Sequence, residues 1–367
     1  MNIQHVRAIA RKEIWHLLRD PGSLALMLLM PVMLLFLFGY ALRLDLYEAP
    51  IAVIQESRDA ATEELIAHFA ASRAFRIALR SNDRRDAAAA LQKGQVWAAL
   101  VFPADYARQL ERGDAQVQLL LDGVDANTAR LLRNYTLALV NDYLLSRGGE
   151  PPLRIEDRVW FNETRESRLA IIPGVIAMVM AVVGAMMTSL TIAREIEQGN
   201  LVMLRTTPLN RREFLLGKLL PYLGVGLLDM AIAVGVAVWV FEVPLRGSLP
   251  VLLGVSMLFL SVVMVQGALI SIHAGNQLLA SQMAMVSTFL PAFLLSGFIF
   301  AIENMPTVLQ HLTLIVPARY YVALSRAIFL KGIAPALLWS QAAALLVMLL
   351  ILGRATLAKS KKLGLLP

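Results

Sequence analysis

The sequence predicts a polytopic α-helical membrane protein, with six transmembrane helices and an α/β domain inserted between the first and second spans. The chain of 367 residues is 57% apolar and has a mean hydropathy of +0.62, which is too apolar for a single water-soluble domain. Its apolar residues concentrate in six long runs. The segment between the first two runs, residues 43–168, instead holds 17 basic and 19 acidic residues.

Each apolar run is close to the roughly 20 helical residues that cross a bilayer's hydrocarbon core. The runs occupy residues 24–42, 169–192, 214–240, 250–271, 278–300 and 336–352. Because the first run follows a basic N-terminus, a cleaved signal peptide is the alternative interpretation. That run is too long for a signal peptide, however, and Gly39, Tyr40 and Ala41 form only a weak cleavage site. We therefore expect an uncleaved first span over residues 22–42.

The distribution of charge predicts the orientation of the chain. Residues 43–168 are slightly acidic, so the positive charge of the chain, +7 in total, lies beside the spans. Basic residues next to spans mark the cytoplasmic side. Residues 1–20 form a basic amphipathic helix of the kind that lies in a membrane interface, and the tail, residues 355–367, is also basic. Both termini are therefore expected in the cytoplasm. The intervening domain is expected outside, since long domains are translocated regardless of charge.

Residues 43–168 have the pattern of a compact α/β domain. Short buried strands are predicted at residues 51–54, 96–102 and 117–121. Polar-faced helices are predicted between and beside them, at residues 62–71, 84–93 and 104–112. A longer helix is predicted at residues 127–146, and its charged residues, among them Arg130 and Asp142, indicate that it does not span the membrane. Alternating strands and helices are typical of an α/β fold.

The loop between the second and third spans, residues 194–213, is basic and has an internal structure of its own. Asn200 is expected to cap a short helix with an apolar surface at residues 201–204, and Pro208 to end it. Asn210 and Glu213 have the spacing of a capping box that opens the next helix. The residues alone leave two interpretations open, a docking site for a partner and a loop that rests on the membrane surface.

The order of residues in this loop resembles the coupling loop of ABC-2 type permeases, the membrane subunits of one class of ATP-driven exporters. The residues that match that pattern are Glu195, Glu197, Gly199, Thr207, Pro208 and Lys218. Asn200 and Val202 depart from the G-T-x-E order usual in the family. The resemblance implies that contact with an ATPase subunit is made by Glu195, Glu197, Gly199, Leu201, Leu204, Thr207 and Pro208.

Residues 294–306 and 317–332 are also similar to ABC-2 drug-exporter permeases. Gly297 is expected to weaken the end of the fifth span. A turn at the outer surface is expected from Glu303, Asn304 and Pro306. The five-helix remainder of the transmembrane domain, residues 169–354, would thus contain an extracellular re-entrant segment at residues 301–335.

The helix within residues 317–332 carries two arginines and is expected to be interfacial or re-entrant. Arg319 and Arg326 are seven residues apart and share one face of an otherwise apolar helix. Such side chains are either paired or extend to the headgroups.

Asp229 in the third span and Gln266 in the fourth are candidates for a transport pathway or its gate. A carboxylate near midspan costs at least about 2.5 kcal/mol to insert, so it is expected to face away from lipid. A buried hydrogen-bond partner that only holds the bundle together is the alternative for Asp229.

Several classes of site are not expected in this chain. It has no cysteine, its five histidines lie far apart, and no G-x-x-x-x-G-K-S/T loop is present. No basic patch interleaved with aromatic residues suggests nucleic-acid binding. No catalytic, metal-binding or cofactor-binding residue is therefore expected, and any ATP would bind to a partner chain.

The resemblance implies a permease subunit of the bacterial inner membrane that exports a drug-like or lipophilic molecule. It would pair with a second permease, identical or a sister chain, and with separate ATPase subunits, among membrane lipids. Its external domain would cap the exit or meet a periplasmic adaptor. The alternative function is a mechanical transmitter that moves its outer domain and transports nothing. A membrane enzyme has no supporting constellation of residues.

Overall fold

The computed structural model describes residues 2–41, 48–57, 59–123, 126–146, 167–332 and 339–362. The chain divides into two compact units. The helical unit comprises the described residues up to 41 and from 167 onward, and the α/β unit comprises those between 48 and 146.

The helical unit contains ten of the fourteen described helices. They are α1 (Ile3–Arg19), α2 (Pro21–Ala41), α7 (Ser167–Glu197), α8 (Asn200–Arg205), α9 (Arg211–Trp239), α10 (Leu249–Ala274), α11 (Gln277–Leu294), α12 (Thr307–Ile315), α13 (Pro317–Lys331) and α14 (Trp339–Lys362). Helix α7 is almost completely buried, in contact with α2, α9, α10, α11 and α13. The long uncharged run in the sequence is therefore the central helix of this unit.

Small residues let α10 approach α7 closely. Gly267 lies so near α7 that a Cβ atom added to it would be 2.1 Å from Thr188 Oγ1 and 2.5 Å from the Ala185 carbonyl oxygen. Ala181 and Ala185, one helical turn apart, are buried. Spacing by four residues places such side chains on one face, and small side chains permit close backbone approach.

Among the described residues, five helices are long and apolar enough to cross a membrane: α7, α9, α10, α11 and α14. The expected first span corresponds to α2. The apolar part of α2 is Met27–Tyr40, which is shorter than the five candidate spans. The sixth candidate is instead the pair α12 and α13, which meet at an angle of 90°. The expectation that the last span begins at residue 336 lies outside the described residues.

Two predicted span boundaries differ from the structure. Helix α11 ends at Leu294, earlier than the expected residue 300, and Gly297 has a φ of +79° in the bend that follows. Helix α14 continues to Lys362, well beyond the expected residue 352. A left-handed φ favours glycine, so Gly297 lies beyond the helix end and does not weaken a continuing helix.

The α/β unit is a four-stranded sheet with the order β2-β1-β3-β4. The strands are β1 (Ala49–Gln55), β2 (Phe75–Ser81), β3 (Ala98–Phe102) and β4 (Gln118–Leu121), with β4 alone antiparallel to its neighbour. The helices are α3 (Ala60–Ala71), α4 (Arg84–Gln92), α5 (Tyr106–Arg112) and α6 (Ala126–Ser146). Three strands and all four helices were predicted, and α6 is not among the candidate spans, as expected.

Strand β2 was missed by the sequence analysis. It is an edge strand that pairs only with β1 among the described residues, and its exposed positions include Arg76 and Arg80. Charged residues are common on edge strands but interrupt the continuous apolar run that marks a central one. The alternation of apolar and polar residues over Phe75–Ser81 was the signal from which this strand could have been predicted.

Candidate functional site

The predicted short helix between the second and third spans is present as α8. Gly199 precedes it with a φ of +71°, a conformation that favours glycine. The prediction that Asn200 caps the helix is wrong: Asn200 is its first residue, and its side chain donates to Gln198 (3.0 Å). Helix α8 ends at Arg205, before Pro208. The predicted capping box of Asn210 and Glu213 is confirmed at the start of α9.

The two apolar side chains of α8 that the structure describes point in different directions. Met203 is 74% exposed. Leu204 is half-buried and packs on an apolar cluster that includes Ile9 of α1 and Phe214 of α9. The Thr207 hydroxyl donates to the Leu204 carbonyl and closes the end of the helix. Of the expected apolar surface at residues 201–204, Met203 is exposed and Leu204 packs on the bundle. The side chains of Leu201 and Val202 lie outside the described part of the structure.

Glu195, expected in contact with an ATPase, is buried in a cluster of charged side chains. Its carboxylate binds Lys218 Nζ (3.0 Å) and Lys12 Nζ (2.8 Å). Lys218 Nζ also binds Glu13 Oε1 (2.8 Å) and donates to the Thr191 carbonyl. We call Glu13, Glu195, Lys12 and Lys218 the ion cluster.

The ion cluster joins three helices. Glu13, Glu195 and Lys218 are each at most 5% exposed, and they come from α1, α7 and α9. Tyr222 Oη donates to the second oxygen of Glu13 (3.3 Å). Buried charges are costly unless paired, so the geometry fixes α1 against the ends of the two longer helices. In this structure Glu195 stabilises the framework and does not present a surface.

Glu197 also acts within the chain. Its carboxylate accepts from the backbone N–H of Gln277 (3.2 Å) and from the side-chain amide of Gln277 (2.9 Å). Arg194 Nε donates to the amide oxygen of the same glutamine (3.2 Å). These contacts join the end of α7 to the first turn of α11.

Helix α1 packs on α9 through a close contact at Gly217. A Cβ atom there would lie 2.7 Å from Ile9 Cβ and 3.0 Å from the Val6 carbonyl oxygen. At the first turn of α9, Glu213 accepts from the Asn2 backbone (2.5 Å) and pairs with the His5 ring (2.9 Å). The predicted amphipathic helix is thus present, and it is anchored to α9 at its N-terminal end and to the ion cluster through Glu13.

Sequence reasoning missed Glu13 and Tyr222 as members of this network. The available signal was the position of Glu13 between Ile9 and Leu17. These three residues are four apart, share the buried face of α1, and are all buried. An acidic residue within an apolar stripe indicates a buried ionic partner.

The structure separates the two predicted pathway residues. Asp229 is 1% exposed, and its Oδ1 atom has no hydrogen-bond partner among the described residues. Gln266 is half-buried and lines a cavity of about 140 Å³ that Asp229 does not line. The two residues therefore do not form one polar site in this conformation.

The predicted re-entrant segment contains a turn followed by the bent pair α12 and α13. Glu303, Asn304 and Pro306 are exposed in that turn. Arg326 donates to the carbonyls of Gly297 (2.9 Å) and Phe298 (2.8 Å). Both arginines are paired within the chain, which is one of the two outcomes that the sequence left open, and each binds a different part of the chain.

The partners of Arg319 lie on the other side of the bend. Its guanidinium donates to the Gln310 carbonyl (3.2 Å) and to the Thr313 hydroxyl. Arg326 therefore holds the bend after α11 against α13, and Arg319 holds α12 against α13. Both guanidinium groups therefore have hydrogen-bond partners within the chain, and contact with lipid headgroups is not needed to satisfy them.

Comparison with known proteins identifies the family. Residues 21–358 match the family described as ABC-2 family transporter protein. The probable multidrug ABC transporter permease YbhS of Escherichia coli K12 is 37% identical over 343 residues, 91% of each chain. The probable multidrug ABC transporter permease YbhR of the same strain is 31% identical over 362 residues, 96% of this chain and 97% of that one. The inner membrane transport permease YhhJ, also from that strain, is 24% identical over 92% of this chain and 93% of the relative. This multi-pass membrane chain therefore belongs to the ABC-2 family of transporter proteins.

Proposed function

We propose that this chain is the permease subunit of an ATP-driven exporter in the bacterial inner membrane. It pairs with a second permease and with separate ATP-binding subunits, and moves a drug-like or lipophilic molecule out of the cytoplasm or the inner leaflet. ATP binds to the partner subunits. The names of the relatives, two of them probable multidrug ABC transporter permeases, support this class of cargo.

The observation that carries the proposal is the position of Met203. A side chain that is 74% exposed on a six-residue helix offers an apolar contact to a partner, and α8 is attached to long helices at both of its ends. A push on α8 would pass to α7 and α9 directly. It would reach α1 through the ion cluster, because Lys218 joins Glu13 and Glu195.

Both termini and α8 are proposed to lie in the cytoplasm, with residues 43–168 outside and available to a periplasmic adaptor. The chain has no cysteine, so single-cysteine variants report one position each. Gln95 in the α/β unit and Gln198 before α8 are both exposed. Gln95→Cys should react with an impermeant thiol reagent in intact cells, and Gln198→Cys only after lysis. The opposite pattern would refute the proposed orientation.

The proposed coupling contact is tested by adding a charge to α8. Met203→Glu should keep membrane expression, because the side chain is exposed, but should lose the ATPase when the permease is purified in mild detergent. Burying the new carboxylate against a partner costs several kcal/mol. Met203→Leu keeps an apolar contact and should retain the ATPase. Gln198→Glu adds the same charge at an exposed site nearby and controls for charge alone.

Normal co-purification and ATPase activity in Met203→Glu would contradict the docking role of α8. Candidate substrates should stimulate ATP hydrolysis by the reconstituted wild-type complex. A mechanical transmitter would instead hydrolyse ATP at a rate that no lipophilic compound changes, and that result would refute export.

A further inference from the structure

A cavity of about 140 Å³ lies inside the helical unit where α12 and α13 meet. Its walls come from Ala181 of α7, Gln266 of α10, the middle of α11, and residues 315–318 at the 90° bend. Ser287 and Ile315 on its rim are exposed, so the cavity reaches the surface of the described part of the helical unit.

Three polar side chains line this cavity without an internal partner. Among the described residues, no hydrogen bond satisfies the side chains of Gln266, Ser287 or Thr288. The Thr288 side chain is 94% buried, since only 6% is exposed. Elsewhere in the same helices hydroxyls are satisfied locally, as where Ser281 donates to the Leu278 carbonyl (2.8 Å). A buried polar group without a partner is costly in a membrane interior, and Thr288 is such a group. With the unpaired side chains of Gln266 and Ser287 beside it, Thr288 indicates an occupant that forms hydrogen bonds.

The wall formed by α11 departs from regular helical structure at this point. Met285–Phe289 is a π-helical turn, and Pro291, which also lines the cavity, has no N–H to bond with the carbonyl four residues earlier. Single π-helical turns are frequent at functional sites. Here the turn carries Ser287 and Thr288, and therefore positions two of the three unpaired groups.

We propose that this cavity binds one ring-sized, hydrogen-bonding group of a lipophilic molecule that enters from the bilayer. Gln266 and the two hydroxyls provide donors and acceptors, and Ala181 with residues 315–318 provides an apolar wall. Pockets for whole drug-sized ligands have volumes of about 300–1,000 Å³, whereas a cavity of about 150 Å³ holds a benzene ring. The cavity thus accommodates a phenol-like group, and the remainder of the molecule extends through the rim.

We take the bound molecule to be the one that is exported. That identification rests on the proposed function, but binding itself does not. It is measured on the full-length permease alone in lipid nanodiscs, without the ATPase. Loss of binding in that experiment would leave ATPase docking at Met203 untouched, and loss of docking would leave the cavity untouched. The two proposals can therefore fail separately.

The probe is a phenol that carries a photoactivatable diazirine, with adducts located by peptide mass spectrometry. Labelling should saturate, be competed by excess phenol, and fall on peptides containing residues 287–291 or 315–318. Ser287→Phe fills the rim at an exposed position and should reduce saturable labelling at least about tenfold. Val286→Phe adds the same ring at a neighbouring residue that is 61% exposed and does not line the cavity. It should label as the wild type does.

Gln266→Leu tests hydrogen bonding separately from space. It should raise the half-saturating phenol concentration about threefold to tenfold, the effect of one lost neutral hydrogen bond. Its thermal unfolding should match the wild type, since no described partner is lost. Labelling that does not saturate, or that persists in Ser287→Phe, would overturn the proposal. So would saturable labelling of the cavity by a diazirine-bearing phospholipid that phenol does not displace, since the occupant would then be a membrane lipid.

Discussion

Lys218→Met tests the ion cluster that joins α1, α7 and α9. The Lys218 side chain is 3% exposed and lies between two carboxylates, Glu13 at 2.8 Å and Glu195 at 3.0 Å. Methionine has a similar length and no charge, so the change leaves Glu13 without its cation and Glu195 with Lys12 alone. Removing one partner of a buried pair costs about 3–5 kcal/mol, because the remaining charge stays buried.

Lys12→Met is the matched control. Lys12 binds the same carboxylate at nearly the same distance, 2.8 Å, but its side chain is 44% exposed. Exposed ion pairs contribute about 1 kcal/mol or less. The two variants should therefore differ in stability because of the burial of the lysine, and not because of the distance between the charged atoms.

The measurement is thermal unfolding of the purified permease in detergent, and the loss of monodisperse protein reports the unfolding. With a shift of about 2–4 °C per kcal/mol, Lys218→Met should unfold at least about 6 °C lower, and Lys12→Met less than about 4 °C lower. The triple variant Lys218→Met, Glu13→Gln, Glu195→Gln should recover much of the loss, because no buried charge is left unpaired and Lys12, which loses its partner, is partly exposed. Equal shifts for the two lysine variants would refute this account of the cluster.

Three other substitutions have defined outcomes. Gly217→Val should displace α1 and make it sensitive to trypsin, because a Cβ atom at this position collides with α1. Gly224→Val on the same helix is the control: a Cβ atom there has no other atom within 4 Å, so α1 should stay resistant. Arg326→Lys should lower the unfolding temperature by the equivalent of about 1–3 kcal/mol, since an ammonium cannot reproduce the guanidinium's two hydrogen bonds to neighbouring carbonyls. Asp229→Asn should unfold no earlier than the wild type, because its Oδ1 has no described partner, yet should slow transport by the reconstituted complex. Unchanged transport across a range of pH would assign Asp229 a structural role.

Much of the helical unit could be predicted because its signals are local. A run of 24 uncharged residues is a helix whatever surrounds it, since backbone groups in lipid must be satisfied within the segment. The capping box at Asn210 and the short helix α8 follow from neighbouring residues in the same way. The α/β unit was predicted in outline, and its edge strand β2 was missed because exposed arginines interrupt the apolar run.

The roles of individual residues in the coupling loop could not be predicted in the same way. Glu195 and Met203 lie eight residues apart in one basic loop, yet one is buried between lysines and the other is exposed. The difference arises from α1, which supplies Lys12 and Glu13, and Lys12 precedes Glu195 by 183 residues in the chain. The spacing of residues in the sequence does not indicate which distant helix a side chain contacts.

The sequence by itself determined the class of the protein, the approximate places of its long apolar helices, and the presence of the short helix α8 between α7 and α9, because hydropathy and helix signals depend on residues close together in the chain. Only the tertiary structure decided that Glu195 and Glu197 bind within the chain, that Arg319 and Arg326 hold separate bends, and that Gln266 shares a cavity with Ser287 and Thr288. Those outcomes depend on side chains brought together by helix packing, where burial sets the cost of each unpaired charge or polar group.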